Sequence, residues 1–162
     1  MSSSVSIRPA TLDDASIILD LLYELADFES RRSLVSASVE DLRELLSGER
    51  PFAEALLAEL EGSVVGFALY YYSISSFAGK TSLYLEDLFV QAPHRRKGIG
   101  RKLLSAVAKV AYERKCLRME WSVLNWNQGA IDLYLSLGAR PLDAWSHYSL
   151  ADFALQELAL EH

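Results

Sequence analysis

Tyr84-Leu-Glu-Asp-Leu-Phe-Val-Gln-Ala-Pro-His-Arg-Arg-Lys-Gly-Ile-Gly-Arg-Lys-Leu-Leu104 runs from a strand through a basic glycine turn into a helix. Residues 84 to 90 have the aromatic and aliphatic composition of a largely buried strand. Ala92-Pro93 ends it, because proline cannot donate to a ladder. From Ile99 the period changes: Ile99, Leu103, Ala106, Val107, Val110 and Ala111 recur at helical spacing. The turn Arg95-Arg-Lys-Gly-Ile-Gly100 therefore sits at a helix N-terminus, where the first amides lack carbonyl partners and the macrodipole is positive. An anion is favoured there. Gly98 and Gly100 carry no side chain and would let a bulky phosphate approach the backbone closely.

A Gly-x-Gly pair before a helix is often only a tight turn. Here five cations, Arg95, Arg96, Lys97, Arg101 and Lys102, crowd eight residues of a chain whose net charge is −6. Such like charges repel unless something anionic visits, although a solvated basic helix start remains open on these residues alone. Nucleic-acid binding would call for a basic domain, and the sequence pI is about 5.1.

At 162 residues the chain is long enough for one sizeable core and short for two ordinary domains, so a single domain over residues 1–162 is expected. Half the residues are hydrophobic and 23% are charged, a globular composition. No apolar run approaches the ~20 residues that span a bilayer, and the first five residues lack a secretory pattern. A cytoplasmic protein without membrane partners is the expectation. The single cysteine, Cys116, cannot form an internal disulfide, and with it His94, His147 and His162 show no metal-ligand spacing. No metal is expected.

Val5 to Arg8 reads as a short strand ended by Pro9. Thr11-Leu-Asp-Asp14 then opens a helix with Ile18, Leu21, Leu22, Leu25 and Phe28 on one face. Ser38-Val-Glu-Asp41 caps a second helix striped by Leu42, Leu45 and Leu46. Ala55 to Leu60 and Val64 to Tyr72 form an antiparallel hairpin across Glu61-Gly-Ser63, and a loop over residues 73–80 leads to the strand at Tyr84. After the Gly98 helix, alternation predicts a strand over residues 118–124, a helix over 127–137, a last strand over 145–150 and a short tail helix from Asp152. The product is α/β, with helices flanking a mixed, mostly antiparallel twisted sheet.

This order, with Arg95-x-x-Gly98-x-Gly100 after the fourth strand, resembles the Gcn5-related N-acetyltransferase superfamily. Ile7-Arg-Pro-Ala-Thr11, Tyr84-Leu-Glu-Asp87, Gly98-Ile-Gly100 and Trp126-Asn-Gln-Gly-Ala-Ile-Asp-Leu-Tyr134 are similar to the signature segments of its diamine and thialysine branch. The resemblance implies acetyl transfer from acetyl-CoA to a primary amine of a diamine, a polyamine or a lysine analogue, in a ternary complex. It also implies a homodimer. Its cofactor contacts would be the backbone of Leu88, Phe89 and Val90, the turn from Arg95, Arg96, Lys97, Gly98, Ile99 and Gly100 to Arg101, and Asn127, Gln128, Gly129 and Ala130. The amine would meet Glu86, Phe28, Glu29, Trp121, Ser122 and Asp143. Phe28 replaces the tyrosine common in diamine enzymes, and the segment at Asp143 is shorter than theirs.

For chemistry the resemblance implies Glu86 as the residue that attracts the cation and collects its proton, and Tyr134 as the partner of the departing sulfur. Read without it, Glu86 is an acidic residue on a half-exposed strand and Tyr134 a core tyrosine. Asn127 also has a plain job as an N-cap. Glu86 and Asp87 are successive strand positions, so their side chains are expected on opposite faces. Two other readings stay open: an enzyme acting on protein lysines or N-termini, and a non-catalytic acetyl-CoA sensor.

Overall fold

The computed structural model describes residues 4–161; residues 1–3 and His162, noted above, lie outside it. Two compact units divide after Ser122. The first holds β1 (Ser6–Pro9), α1 (Ala15–Phe28), α2 (Val39–Leu46), β2 (Glu54–Leu60), β3 (Ser63–Ser75), β4 (Lys80–Val90), α3 (Ile99–Glu113) and β5 (Met119–Trp121). The second holds α4 (Gln128–Ser136) and α5 (Asp152–Ala159).

The five strands form one sheet in sequence order, antiparallel throughout except for the parallel pair β4 and β5. Side chains of α1 and α2 cover one face. Ala15, Ile18, Leu21 and Leu42 pack there with Ala55, Leu57, Phe67, Leu69 and Phe89 in a single cluster. Burying each large side chain in it contributes roughly 2 kcal/mol. The residues that alternate with these strand positions turn to the other face, toward α3. Gly66 marks how closely β3 approaches β4: a Cβ there would lie 2.7 Å from the Phe89 carbonyl oxygen and 3.4 Å from Leu103 of α3.

Helix entries follow the sequence signals. At α2, Ser38 Oγ accepts the Asp41 amide at 3.1 Å while the Asp41 carboxylate accepts the Ser38 amide at 2.7 Å. A single 3₁₀ turn at Leu12–Asp14 precedes α1, and the Thr11 amide donates to Asp14 at 2.7 Å. Arg8 of β1 donates to both Asp14 oxygens and to Glu59 of β2, tying the first strand to the helix entry.

The Arg8 guanidinium and the Thr11 amide hold the Asp14 carboxyl down at about 2. A folded pKa below the unfolded value contributes stability that is present above about pH 4 and lost as pH falls through 2. Arg8 is partly exposed, and solvent screening holds the contribution to about 1 kcal/mol. Asp14→Asn is therefore expected to lower the urea unfolding midpoint at pH 7 and to flatten its fall between pH 4 and 2. An unchanged pH slope would remove this pair from the stability account.

Two expected strands are corrected. Residues 145–150 are irregular: alternation is present, but among the described residues the segment joins no ladder. The strand expected over 118–124 is only Met119–Trp121, because its pairing with β4 stops at Trp121 opposite Leu85. Conversely, the expected 73–80 loop shrinks to a tip, since Ile74 pairs with Thr81 and Ser75 with Lys80. Among the described residues no helix is long and apolar enough to cross a membrane, and no group of three potential metal ligands occurs.

Candidate active site

The strand β4 carries the local event that organises the site. Asp87 pairs with Leu69 of β3, and Leu85 pairs with the next residue, Tyr70, so Glu86 is an extra residue without a partner. Such a bulge bends its strand and reverses which residues face which side. Leu83 and Leu85 share the face of Tyr72 and Tyr70, while Asp87 and Phe89 share the opposite face with Leu69 and Phe67. Tyr84, paired with Tyr71, lies on that same α1 face.

The parallel ladder to β5 ends at Leu85, one residue before the bulge. From Glu86 onward β4 has no partner on that side among the described residues. The Gln91 amide donates to the Val65 carbonyl at 2.9 Å, which makes residues 91 and 65 a hydrogen-bonded pair. By antiparallel alternation Phe89 gives its amide and carbonyl to β3, while those of Leu88 and Val90 turn to the open side. Of the three backbones the resemblance implicates, two are thus on the open edge.

The bulge interrupts the alternation on which the expected divergence of Glu86 and Asp87 rests. Glu86 is close enough to raise both the Asp87 carboxyl and the Tyr71 phenol, two groups on the α1 face. Burial is the larger cause at Asp87 and, with repulsion from Glu86 and Glu29, pushes its carboxyl up to about 7. Among the described residues this carboxyl makes no hydrogen bond or ion pair. On the same face Tyr71 and Tyr84 lie with ring centroids 5.1 Å apart, and the Tyr84 hydroxyl shares a 2.8 Å hydrogen bond with Ser122. Glu29, Asp87 and Ser122 therefore belong to one side of the sheet, with the exposed Glu86 at its bulge. Trp121, in register with Leu85, falls on the other.

Four residues beyond β4, Arg95 turns back. Its Nε donates to the Val90 carbonyl at 2.8 Å, and its guanidinium lies over Phe28 at 4.5 Å and Phe89 at 5.2 Å. It braces the turn against the end of α1 rather than projecting with its neighbours. Arg96, Lys97, Arg101 and Lys102 are exposed and make no ion pair among the described residues. Gly98 caps α3 in the left-handed region at φ +77°, with open space where a Cβ would stand. The first helical bond runs from the Lys102 amide to the Gly98 carbonyl at 3.0 Å. Ahead of it, the amides of Ile99, Gly100 and Arg101 have no acceptor within the helix.

In the second unit Asn127 caps α4, its side chain accepting the Ala130 amide at 3.3 Å, and Gln128 donates to Asp132 at 2.6 Å. Gly129 has open space at its Cβ position. Tyr134 is partly buried, and burial raises its phenol above the ordinary value. Asp143 sits in an exposed turn.

Residues 19–139 match the family described as Acetyltransferase (GNAT) family. The chain belongs to the GNAT family of acetyltransferases. It is an acyltransferase by that membership, and the family match runs across the division at Ser122. The thialysine N-epsilon-acetyltransferase of Sus scrofa is 39% identical over 168 residues, covering 97% of this chain and 98% of the relative. An L-ornithine N5-acetyltransferase of Arabidopsis thaliana is 30% identical, covering 94% of this chain and 86% of that one. Among solved structures, an integron cassette protein from the mobile metagenome of V. cholerae superposes with a TM-score of 0.80 at 27% identity, over 98% of this chain and 99% of that one.

GNAT acetyltransferases use acetyl-CoA as cosubstrate, and the turn suits a pyrophosphate on its own terms. It offers amides outside the helix ladder, a glycine cap with space above it and four uncompensated cations. Asp87, Tyr84 and Arg95's stacking on Phe28 were not anticipated from the sequence as parts of this site. The signal for Asp87 was a second carboxylate, beside Glu86, in the aromatic and aliphatic run from Tyr84 to Val90.

Proposed function

We propose that this acetyltransferase acetylates the terminal primary amine of a small molecule, with acetyl-CoA as donor. The observation that carries the reading is the Asp87 carboxyl, set by the bulge on the α1 face and raised to about 7 by burial and by the charges of Glu86 and Glu29. The full-length likeness to thialysine and ornithine acetyltransferases supports an amine of that size.

An alkylammonium of pKa near 10.4 must lose a proton before it can attack a thioester. Glu86 and Glu29 attract the cation. Asp87 is the better proton acceptor: transfer to a carboxyl at about 7 is easier by roughly 4 kcal/mol than to an ordinary exposed carboxylate near 4. Asp87 first takes the ammonium proton; the neutral amine then attacks, and as the C–N bond forms and the C–S bond breaks the nitrogen gives up its second proton to solvent and the sulfur leaves as a thiolate. Bound acetyl-CoA supplies only the activated acyl group; its phosphates are held by Gly98, Ile99, Gly100 and Arg101 with Arg96, Lys97 and Lys102 around them. Leu88 offers its amide and carbonyl and Val90 its amide to the arm, the Val90 carbonyl being bonded to Arg95, and the resemblance assigns Tyr134 to the departing sulfur. Asn127 to Ala130 are assigned to the same cosubstrate by the resemblance.

Thiol release from acetyl-CoA, measured with spermidine, putrescine, lysine, thialysine and a histone peptide, tests this. Turnover with small amines and not with the peptide is the expected result. Binding of CoA without release for any of them would sink the reading and leave a sensor.

A further inference from the structure

Three register pairs join β4 to β5: Leu83 with Met119, Tyr84 with Glu120 and Leu85 with Trp121. The chain fixes where this ladder begins, since the Leu117 amide donates to the Thr81 carbonyl at 2.8 Å and the Leu83 amide to the Arg118 carbonyl at 3.0 Å. Those bonds do not fix where it ends. An unpaired strand edge is a template for any backbone beside it, and a ladder that ran on past Leu85 would cover the amides of Leu88 and Val90. The bulge at Glu86 is one obstacle to such growth.

A pair of hydroxyls is the other. Ser122 is the first residue beyond the ladder and would face Glu86 if the pairing continued. Instead it shares a 2.8 Å hydrogen bond with the Tyr84 hydroxyl, two residues back along β4. The side chain opposite Tyr84, Glu120, is held by Arg118, so the tyrosine reaches past it along the diagonal. Its ring lies against Tyr71 with centroids 5.1 Å apart at 34°, which sets the direction of the hydroxyl.

We propose that the Tyr84–Ser122 pair ends the ladder at Leu85 and so keeps the Leu88 and Val90 amides free for the arm of acetyl-CoA. Both are positioning residues. Ser122, which the resemblance sets against the amine, has its hydroxyl engaged elsewhere, and Tyr84 acts through Ser122. The inference rests on the reading above that this edge takes the cosubstrate. A protein whose binding-competent form is only partly populated binds more weakly by that fraction. Removing either hydroxyl shifts the balance from the free edge toward the covered one and leaves the amine side untouched.

Calorimetric titration of CoA into the full chain tests this. Tyr84→Phe, which keeps the ring, and Ser122→Ala should each weaken CoA binding about fivefold, the worth of one hydrogen bond, and the double variant should weaken it no further. Ser122→Thr, which keeps a hydroxyl, should bind within about twofold of the wild type. At saturating acetyl-CoA, the KM for whichever amine the thiol-release assay identifies should not move in any of them. Single variants that bind CoA as tightly as the wild type, losses that add in the double variant, or a threonine variant as weak as the alanine one overturn the pair's role, whatever the melting curves show. A raised amine KM in Ser122→Ala with CoA binding unchanged returns Ser122 to the amine and overturns it too. Each of these outcomes leaves the acetyl-CoA reading standing. A wild-type protein that binds no CoA overturns that reading, and the pair's role with it.

Discussion

Asp87→Asn should slow turnover at least a hundredfold and, at pH 8, make the protein more stable. Both effects come from the same group. Its folded carboxyl, pushed up to about 7 by burial and by Glu86 and Glu29, binds a proton that the unfolded chain releases near pH 4. A folded pKa above the unfolded one contributes stability that is complete below pH 4 and is lost as pH rises through 7. At pH 8 the wild-type protein therefore holds a partly buried, unbonded carboxylate at a cost of about 2 to 4 kcal/mol. Asparagine, neutral and nearly isosteric, removes that cost and with it the proton acceptor, whose loss typically lowers rates by about 10² to 10⁴. Denaturant midpoints at pH 5 and pH 8 check the first half: the wild type should lose stability over that interval and the variant should not. In kcat/KM the wild type should show an acid limb near pH 7 that is absent from Asp87→Asn and retained in Glu86→Gln. If the limb survives in Asp87→Asn, the acceptor is another group. Stability given up at a functional carboxyl is a recurrent trade.

Why the sequence pointed to the strand yet not to its bulge is a matter of what each feature requires. The strands β2 to β4, the helix α3 and the turn before it are visible because burial imposes a period and because proline and glycine mark the boundaries. The capping boxes at Thr11 and Ser38 are visible because a fixed spacing of side chains makes them. Glu86 carries no such mark. A bulge of this kind needs no glycine or proline, and its position is set by the register of β3 against β4, where Leu69 meets Asp87 and Tyr70 meets Leu85 across the length of a hairpin. Strict alternation therefore runs straight through Glu86, and the structure breaks it there. The same bulge explains why β5 is shorter than its alternation suggests: the partner strand bends away at Leu85. Residues 145–150 fail for the complementary reason, since a period of two states a face and supplies no neighbour to pair with.

Tyr134→Phe is expected to lower kcat by about a hundredfold to a thousandfold while leaving the KM for acetyl-CoA within about twofold. The argument turns on which proton can move. A thiol leaves with a pKa near 8.5, and a phenol starts near 10. Burial raises Tyr134 further, so complete donation of its proton to the sulfur runs uphill and is disfavoured. What remains is a hydrogen bond to charge as it develops on the sulfur. Such a bond is strong in the breaking state and weak before it, which places its whole effect in kcat rather than in binding. A raised phenol also predicts that no alkaline limb below about pH 10 arises from this residue, and removing the hydroxyl should leave the upper side of the pH profile unmoved. Two measurements separate the possibilities. Unchanged turnover in Tyr134→Phe would take the hydroxyl out of the mechanism. A lowered kcat accompanied by loss of an alkaline limb near pH 9 would instead make Tyr134 a true acid, and the pKa argument against full transfer would fall.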